Sequence, residues 1–523
     1  MLRTSTAACS HPTTHRAILS CSMPRRRVRS SDRSALASKR IRAIALILME
    51  LLPGIAAGGE PITRPNIETS VDTRSISLNS RTYINKGLVG TGTLPAGTTD
   101  FLGDTLGSFS SLKIAPGSWK RVGAGYEAIL WTLPDRGRND PDANLFFDYP
   151  ARLHRFRLRF TPADGKVAIT PFGGLKLADF RGRPFTGADP GAGTIKQRGI
   201  SLPAPESGVG NGKVSLDAES LQFTRDGSFY IGDEYTANVY YFDRRGHLRG
   251  IIQPPPAIAP RRDGHPHFGS LTSPVTGRRN NQGAEGLSLS PDGLTLFVMM
   301  QSALIQDSAT GNAAGRINTR VLAYDVGRNP TPAQPKAHHV VQLPAYAADG
   351  KGDAADRTAA QSEILALDDH RFLMLSRDGA GLGADNKHPV VYKSILLVDL
   401  KNATNLAGTE YEVGTVSLLH DRAATALQPG IIPAEWAELV NMLNPSQLAH
   451  LGLGTDALSE KWEAMDIVSV LEPDHPADYF LLVGNDNDFT ARRCTMSGQP
   501  CDADIDNDNR LLVYRVTIPV LTR

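Results

Sequence analysis

Gln282-Gly-Ala-Glu-Gly-Leu-Ser-Leu-Ser-Pro-Asp-Gly-Leu-Thr-Leu-Phe-Val-Met-Met-Gln301 is the stretch from which the fold is read. Its first half, Glu285-Gly-Leu-Ser-Leu289, alternates with the period of two that a strand requires, and Ser290-Pro-Asp-Gly293 carries turn chemistry. A second apolar run, Leu294 to Met300, follows and stops at polar Gln301-Ser302. The stretch therefore predicts a β-hairpin with an acid at the mouth of its first strand.

The pattern recurs. Ser110-Ser-Leu-Lys-Ile114, Glu219-Ser-Leu-Gln-Phe223, Glu285-Gly-Leu-Ser-Leu289, Glu363-Ile-Leu-Ala-Leu367 and Glu463-Ala-Met-Asp-Ile467 align without gaps, and four of the five begin with Glu. Each is followed by a second apolar run that ends at polar residues: Asp135-Arg136, Asp233-Glu234, Gln301-Ser302, Ser376-Arg377-Asp378 and Asn485-Asp-Asn-Asp488. Third strands follow at Arg152 to Phe160, Asn238 to Asp243, Arg320 to Val326, Ser394 to Leu400 and Arg510 to Ile518.

Small antiparallel sheets of this kind cover their two faces by repeating around an axis, which predicts an all-β, β-propeller-like fold. Five units are visible, and the long interval between Ser110 and Glu219 leaves room for a sixth blade built from Lys166 to Phe180. Six blades are thus expected, against the alternative of two stacked sandwiches. The alternating strand within Gly58 to Asn85 is expected to pair with Leu511 to Ile518 and close the ring. Helical spacing at Trp436, Leu439, Val440 and Leu443, with Pro445 to Leu453 beyond, predicts a small helical insertion near 433–453.

Residues 1 to 57 read as a leader: the basic run Lys39-Arg-Ile-Arg42, a short apolar stretch to Leu52, then Pro53-Gly-Ile-Ala-Ala57. The stretch is too short for a spanning helix, so no stable membrane insertion is expected. The whole chain has 56 basic and 54 acidic side chains; removing the leader's ten basic and two acidic residues leaves 46 and 52, a net charge of −6. That balance argues against a nucleic-acid partner. Cys9 and Cys21 leave with the leader, and Cys494 and Cys501 remain as a local disulfide candidate, with a pair of free thiols as the alternative. The expected compartment is secreted or periplasmic. The expected organisation is a leader (1–57), an N-terminal strand and linker (58–101) and the propeller domain (102–518).

If the first strand of each unit lies nearest the channel, Glu219, Glu285, Glu363 and Glu463 converge on one mouth with Asp233, Glu234, Asp378, Asp486 and Asp488. Like charges held together in this way require a cation, and oxygen-rich sites suit hard divalent ions, calcium first. Glu219, Asp233, Glu234, Glu285, Glu363, Glu463, Asp486 and Asp488 are the expected metal ligands, with Glu285, Glu363 and Asp378 in catalytic roles. Arg279, Arg377 and Lys461 suit an anionic ester. His265 and His267 read as loop histidines, with general acids as the alternative, and Asp502 to Asn509 lacks the Gly and distal Glu of an EF-hand loop. The structural alternative pairs each Glu with backbone amides or with Arg136, Arg279, Arg377 and Lys461. No Gly-x-Ser-x-Gly elbow, P-loop or His-Glu-x-x-His occurs.

Gly232-Asp-Glu-Tyr235, Asn281-Gln-Gly-Ala-Glu-Gly-Leu287, Ser362-Glu-Ile364 with Leu375-Ser-Arg-Asp378, Lys461-Trp-Glu-Ala464 and Asn485-Asp-Asn-Asp-Phe489 together resemble the phytase-like proteins described by an esterase-like activity of phytase. The resemblance runs from about Leu102 to Val516, although Ser110 stands where the other units carry an acid. It implies an exported propeller that hydrolyses small phosphate esters, taken here as a monomer. A lactonase or carboxylester hydrolase using the same metal, and a non-catalytic envelope scaffold, are the competing expectations.

Overall fold

Each of the five repeated units contributes four antiparallel strands, three units as separate four-stranded sheets and the first and last joined into one ten-stranded sheet by the parallel pair Thr91 and Lys166 of their outer strands. The computed structural model describes residues 59–70, 73–519 and 521, so the leader lies outside the described residues. Blade 1 runs from the inner strand Ser111–Ile114 through Gly125–Leu133 and Arg152–Thr161 to Lys166–Lys176. Blade 2 is Ala218–Phe223, Phe229–Asp233, Val239–Phe242 and Leu248–Ile252, and blade 3 is Ala284–Leu289, Thr295–Met300, Asn318–Asp325 and Ala337–Gln342. Blade 4 comprises Ala360–Ala366, Arg371–Arg377, Lys393–Asp399 and Glu435–Asn441. Blade 5 takes Lys461–Ser469, Asp478–Asp486 and Asn509–Thr517 from the C-terminal part, and its fourth strand is Arg81–Leu94.

The five inner strands touch their neighbours in a closed circle, blade 5 meeting blade 1. Five apolar clusters fill the gaps between blades, which is where these strands bury their side chains. Leu133 and Leu153 face Leu221 and Phe229; Tyr230 and Val239 face Leu287 and Val298; Phe297 and Met299 face Ile364 and Met374. Leu365 and Leu375 meet Met465 and Leu481, and Phe480 and Leu482 meet Leu112 and Phe156. A stacked pair of sandwiches would have one core per sandwich rather than one per interface. The ring is locked by Arg81–Leu94 pairing antiparallel with Asn509–Thr517, from Ile84 opposite Thr517 to Leu94 opposite Asn509, whereas the alternating strand Arg74–Leu78, expected to close the ring, pairs with Arg81–Leu94 instead.

The blade count is five, not six. Lys166–Lys176 is the outer strand of blade 1, with Val167 opposite Phe160. A three-strand repeat leaves each blade's outermost strand uncounted, and in blade 1 that strand lies in the long interval that reads as room for another unit. The helix expected from Pro433 to Leu443 is also a strand. Its register on the third strand of blade 4 jumps from Ile395 opposite Val440 to Leu396 opposite Glu438, so Leu439 is bulged. A bulge breaks the period of two and mimics helical spacing. The short helix Pro445–His450 does form, capped by the Asn444 side chain.

A cluster of aromatic rings packs where blade 5 meets blade 1. Phe480 lies edge-on to Tyr126 at 5.1 Å and to Phe160 at 5.0 Å between ring centroids. Phe480→Ala is therefore expected to cost about 3–5 kcal/mol in unfolding free energy, measured by reversible denaturant titration.

Candidate metal centre

The inner strands of blades 2, 3 and 5 share one irregularity. Pairing with the second strand steps from Ala218 to Ser220, from Ala284 to Gly286 and from Trp462 to Ala464. The skipped residues are Glu219, Glu285 and Glu463, and a bulge re-aims the skipped side chain. Oxygen atoms of these three buried carboxylates lie within 4.8 Å of one another. Oxygens of Asp135, Asp217 and Glu219 meet the same limit, as do those of Asp135, Asp486 and Asp488. Glu219 joins the first group to the second, and Asp135 joins the second to the third.

Asp135 lies two residues beyond the second strand of blade 1, and Asp217 directly precedes the inner strand of blade 2, two residues before Glu219. Neither was among the expected ligands. The signal for Asp217 was the spacing Asp217-Ala-Glu219; for Asp135 it was the polar stop that every second strand shares.

Most carboxylates in a folded interior accept hydrogen bonds, and several here do not. Glu219 and Glu234 have neither a side-chain hydrogen bond nor an ion pair among the described residues, and both are buried. Glu285 accepts from the Gln301 amide at 2.9 Å through one oxygen, while its other oxygen is buried without a partner. Burial, then Glu285 and Asp217, push Glu219 well above the ordinary carboxylate range. Burial, then Glu234 and Glu463, do the same to Glu285. Asp486 is pushed up to about 7 by burial and Asp488, and Glu234 to about 8 by burial and Asp217. Asp486 is also the best-anchored member, taking hydroxyl donors from Ser108 at 2.8 Å and Ser110 at 2.9 Å. Ser110 thus positions an acid from the blade that lacks one of its own at that place.

A cavity of about 400 Å³ opens over the cluster, lined by Asp135, Asp217, Glu219, Glu234 and Asp488 with Arg136, Arg138 and Lys461. Lys461 pairs with Asp488 at 2.8 Å. Arg136 is held by Asp217 at 2.8 Å, by Ser270 at 2.8 Å and by Asn281 at 2.7 Å. Arg138 has no ion pair or side-chain hydrogen bond among the described residues. The donor set is all hard oxygen, partly unpartnered and crowded beyond what its own cations neutralise. It fits a divalent cation.

The other expected residues lie elsewhere. Glu363 is shifted by one position, because the bulge of blade 4 falls on Ser362 and Glu363 pairs with Leu375. A one-residue slip turns a side chain to the opposite face. Glu363 accordingly accepts from Ser111 at 2.8 Å and from the Leu287 and Ile364 amides, and pairs with Lys113 at 3.2 Å. Asp378 is engaged by Lys393 at 2.9 Å and by the Val391 and Tyr392 amides. Asp233 accepts from the Thr236 hydroxyl and from the Asp217 amide at 3.0 Å. Arg377 is ion-paired with Glu463, and Arg279 stands outside the cavity against Ser308. His265 is exposed in a small hairpin, and His267 shares a hydrogen bond with the Thr272 carbonyl at 2.7 Å. Asp368, Asp369 and His370 form one more acidic group, on a surface turn.

Cys494 and Cys501 are disulfide-bonded, with Cα atoms 4.8 Å apart, and pack with Tyr149 and Phe489. Phe489 follows Asp488 directly, so this staple backs one side of the centre.

Five sheets around a carboxylate-lined mouth define a β-propeller with a candidate metal site in its channel. The profile of the phytase-like family, described by an esterase-like activity of phytase, matches residues 107–489, and the chain belongs to that family. A protein of Arthroderma benhamiae described as an uncharacterized secreted protein is 34% identical over 496 residues, covering 84% of this chain and 94% of its own length. Among solved structures, a chain of the S. cerevisiae dbp5–nup159–gle1 assembly matches at 8% identity with a TM-score of 0.28, covering 87% of this chain and 98% of that one. An ancestral GH74 enzyme matches at 12% identity and the same TM-score of 0.28, covering 85% of this chain and 49% of that one. No helix among the described residues is long and apolar enough to cross a membrane.

Proposed function

We propose that the chain is an exported, metal-dependent hydrolase of small phosphate esters, with calcium as the first candidate cation. The observation that carries this reading is the joint presence, in one cavity, of the buried carboxylates Glu219 and Glu234, without partners among the described residues, and of an unpaired guanidinium, Arg138. Glu219, Glu285 and Glu463 would hold a cation, and Asp135 and Asp217 would share Glu219 to hold a second. A bound divalent cation supplies Lewis-acid polarisation of a phosphoryl oxygen.

The chain's own groups account for the remaining requirements. Arg138 binds the phosphate oxygens, and Arg136, braced by Asp217, Ser270 and Asn281, orients beside it as a fixed fork. Lys461 offsets the charge of Asp488 on the facing wall. Glu234, raised to about 8 in the cation-free chain by burial and Asp217, lines the same cavity without a hydrogen-bond partner. The compartment follows from the disulfide, which persists in oxidising surroundings, together with the secreted relative.

The test is hydrolysis of phytate, an aryl phosphate, an aryl acetate and a lactone by the chain from Gly58 onward, with calcium and after chelation. Metal-dependent turnover of a phosphate ester is expected. Turnover of only the acetate or the lactone would replace this reading with a carboxylester hydrolase. No turnover, with a melting temperature indifferent to chelation, would replace it with a scaffold.

A further inference from the structure

A second crowd of like charges stands on the rim beside blade 3, and it is cationic. Gln301 contacts Glu285 at the mouth, so the segment that follows it, up to Arg316, starts on the same face as the carboxylate centre. Two guanidiniums close on one residue of that segment, the buried Ser308. Arg279 donates to its hydroxyl at 3.3 Å, and Arg422, from the long connection of blade 4, donates to its carbonyl at 3.4 Å and to the Ile305 carbonyl at 3.1 Å. Arg316 belongs to the same loop, its carbonyl accepting from the Ala303 amide at 3.2 Å. Its half-buried guanidinium has no hydrogen bond and no ion pair among the described residues.

Among the described residues, no acid forms an ion pair with Arg279, Arg316 or Arg422. Asp307, next in chain to Ser308, is committed to Arg320 at 2.7 Å and to the Leu418 amide at 2.9 Å. Asp356 is paired with Arg357 at 2.9 Å, and Asp421 accepts from the Ala423 amide. Burial, then Arg316 and Arg422, pull Arg279 down to about 10, the electrostatic cost of cations gathered without a counter-ion. Guanidiniums in this state match phosphate oxygens in charge and in geometry. Arg279 is two residues from Asn281, which lines the carboxylate cavity, so a molecule in that cavity has the rim cluster beside it.

We propose that Arg279, Arg316 and Arg422 form a phosphate-binding subsite on the rim, separate from the carboxylate centre, that takes a second phosphate group of a multiply phosphorylated ester. The proposal rests on the phosphate-ester reading for its substrate, but not for its anion. Free inorganic phosphate offers the same chemistry, and the two sources are separated by two measurements.

The first is calorimetric titration of the chelated full-length protein with inorganic phosphate at constant ionic strength, wild type against Arg316→Ala and Arg316→Lys. Saturable binding, weakened about tenfold or more by Arg316→Ala and partly recovered by Arg316→Lys, is expected. Absence of binding, or equal binding by wild type and Arg316→Ala, would overturn the subsite. The second is the ratio of KM values for a bisphosphorylated and a monophosphorylated ester of one alcohol. Arg316→Ala is expected to raise KM for the bisphosphate about tenfold and leave the monophosphate unchanged. Phosphate binding lost with both KM values unchanged would assign the subsite to the free anion and overturn its role toward substrate. If the wild type hydrolyses neither ester, the phosphoesterase reading and the substrate role fail together, while the titration still decides the anion site.

Discussion

Glu219→Gln is expected to lower cation-dependent turnover of a phosphate ester by about 10²- to 10³-fold, the effect of losing several kcal/mol of charge stabilisation at the reacting centre. Glu219, like Asp135, belongs to two of the three oxygen groups, so its loss damages both of its groups. The same substitution removes one negative charge from a buried set whose members raise one another's pKa. Its melting temperature after chelation is accordingly expected to exceed that of the chelated wild type, by about 2 °C or more. A residue that merely locks the ring would behave in the opposite way, with stability lost and no cation dependence to lose. The two readouts, turnover with calcium and thermal unfolding without it, come from one pair of purified proteins.

The second large effect is a pH-dependent response to chelation. Asp486 and Glu234 sit at about 7 and about 8 in the fold, against ordinary values of 3.8 and 4.5. Between about pH 4 and pH 8 the folded, cation-free chain therefore holds protons that the unfolded chain has released, and its stability falls as pH rises through that window. Below it both states are protonated and the contribution is fully retained. A bound cation favours the ionised carboxylates and reverses the trend. The gap in melting temperature between calcium-loaded and chelated protein should consequently widen from pH 5 to pH 8. Groups outside the centre, such as His338, held near 4 by burial, titrate alike in both samples and cancel. A gap of the same size at both pH values would contradict the assignment.

The inner strands were legible in the sequence because a period of two, an acid at the start and a turn after each strand coincide in all but one unit. The outer strands were not. They lack the acid and vary in distance from their partners, so Lys166–Lys176 passed for a sixth blade and Glu435–Asn441 for a helix. Within the candidate centre, three of the four aligned glutamates share a place because each is the bulged residue of its strand. The fourth, Glu363, looked equivalent because Ser362-Glu-Ile-Leu365 offers two apolar registers, and only strand pairing selects one. Asp135 and Asp217 enter the centre from two residues beyond one strand and from the residue before another, marked only by a polar stop and by the spacing to Glu219. Arg279 was legible as an anion-binding cation, but its neighbours Arg316 and Arg422 are far from it in the chain and met it only in the fold.

The most direct test is diffraction from crystals of the mature chain soaked in manganese or calcium, with anomalous differences recorded. The account predicts a peak coordinated by Glu219, Glu285 and Glu463, with further density toward Asp135 and Asp217. Cations found only at surface groups such as Asp368, Asp369 and His370, with the mouth carboxylates hydrogen-bonded to one another instead, would contradict it.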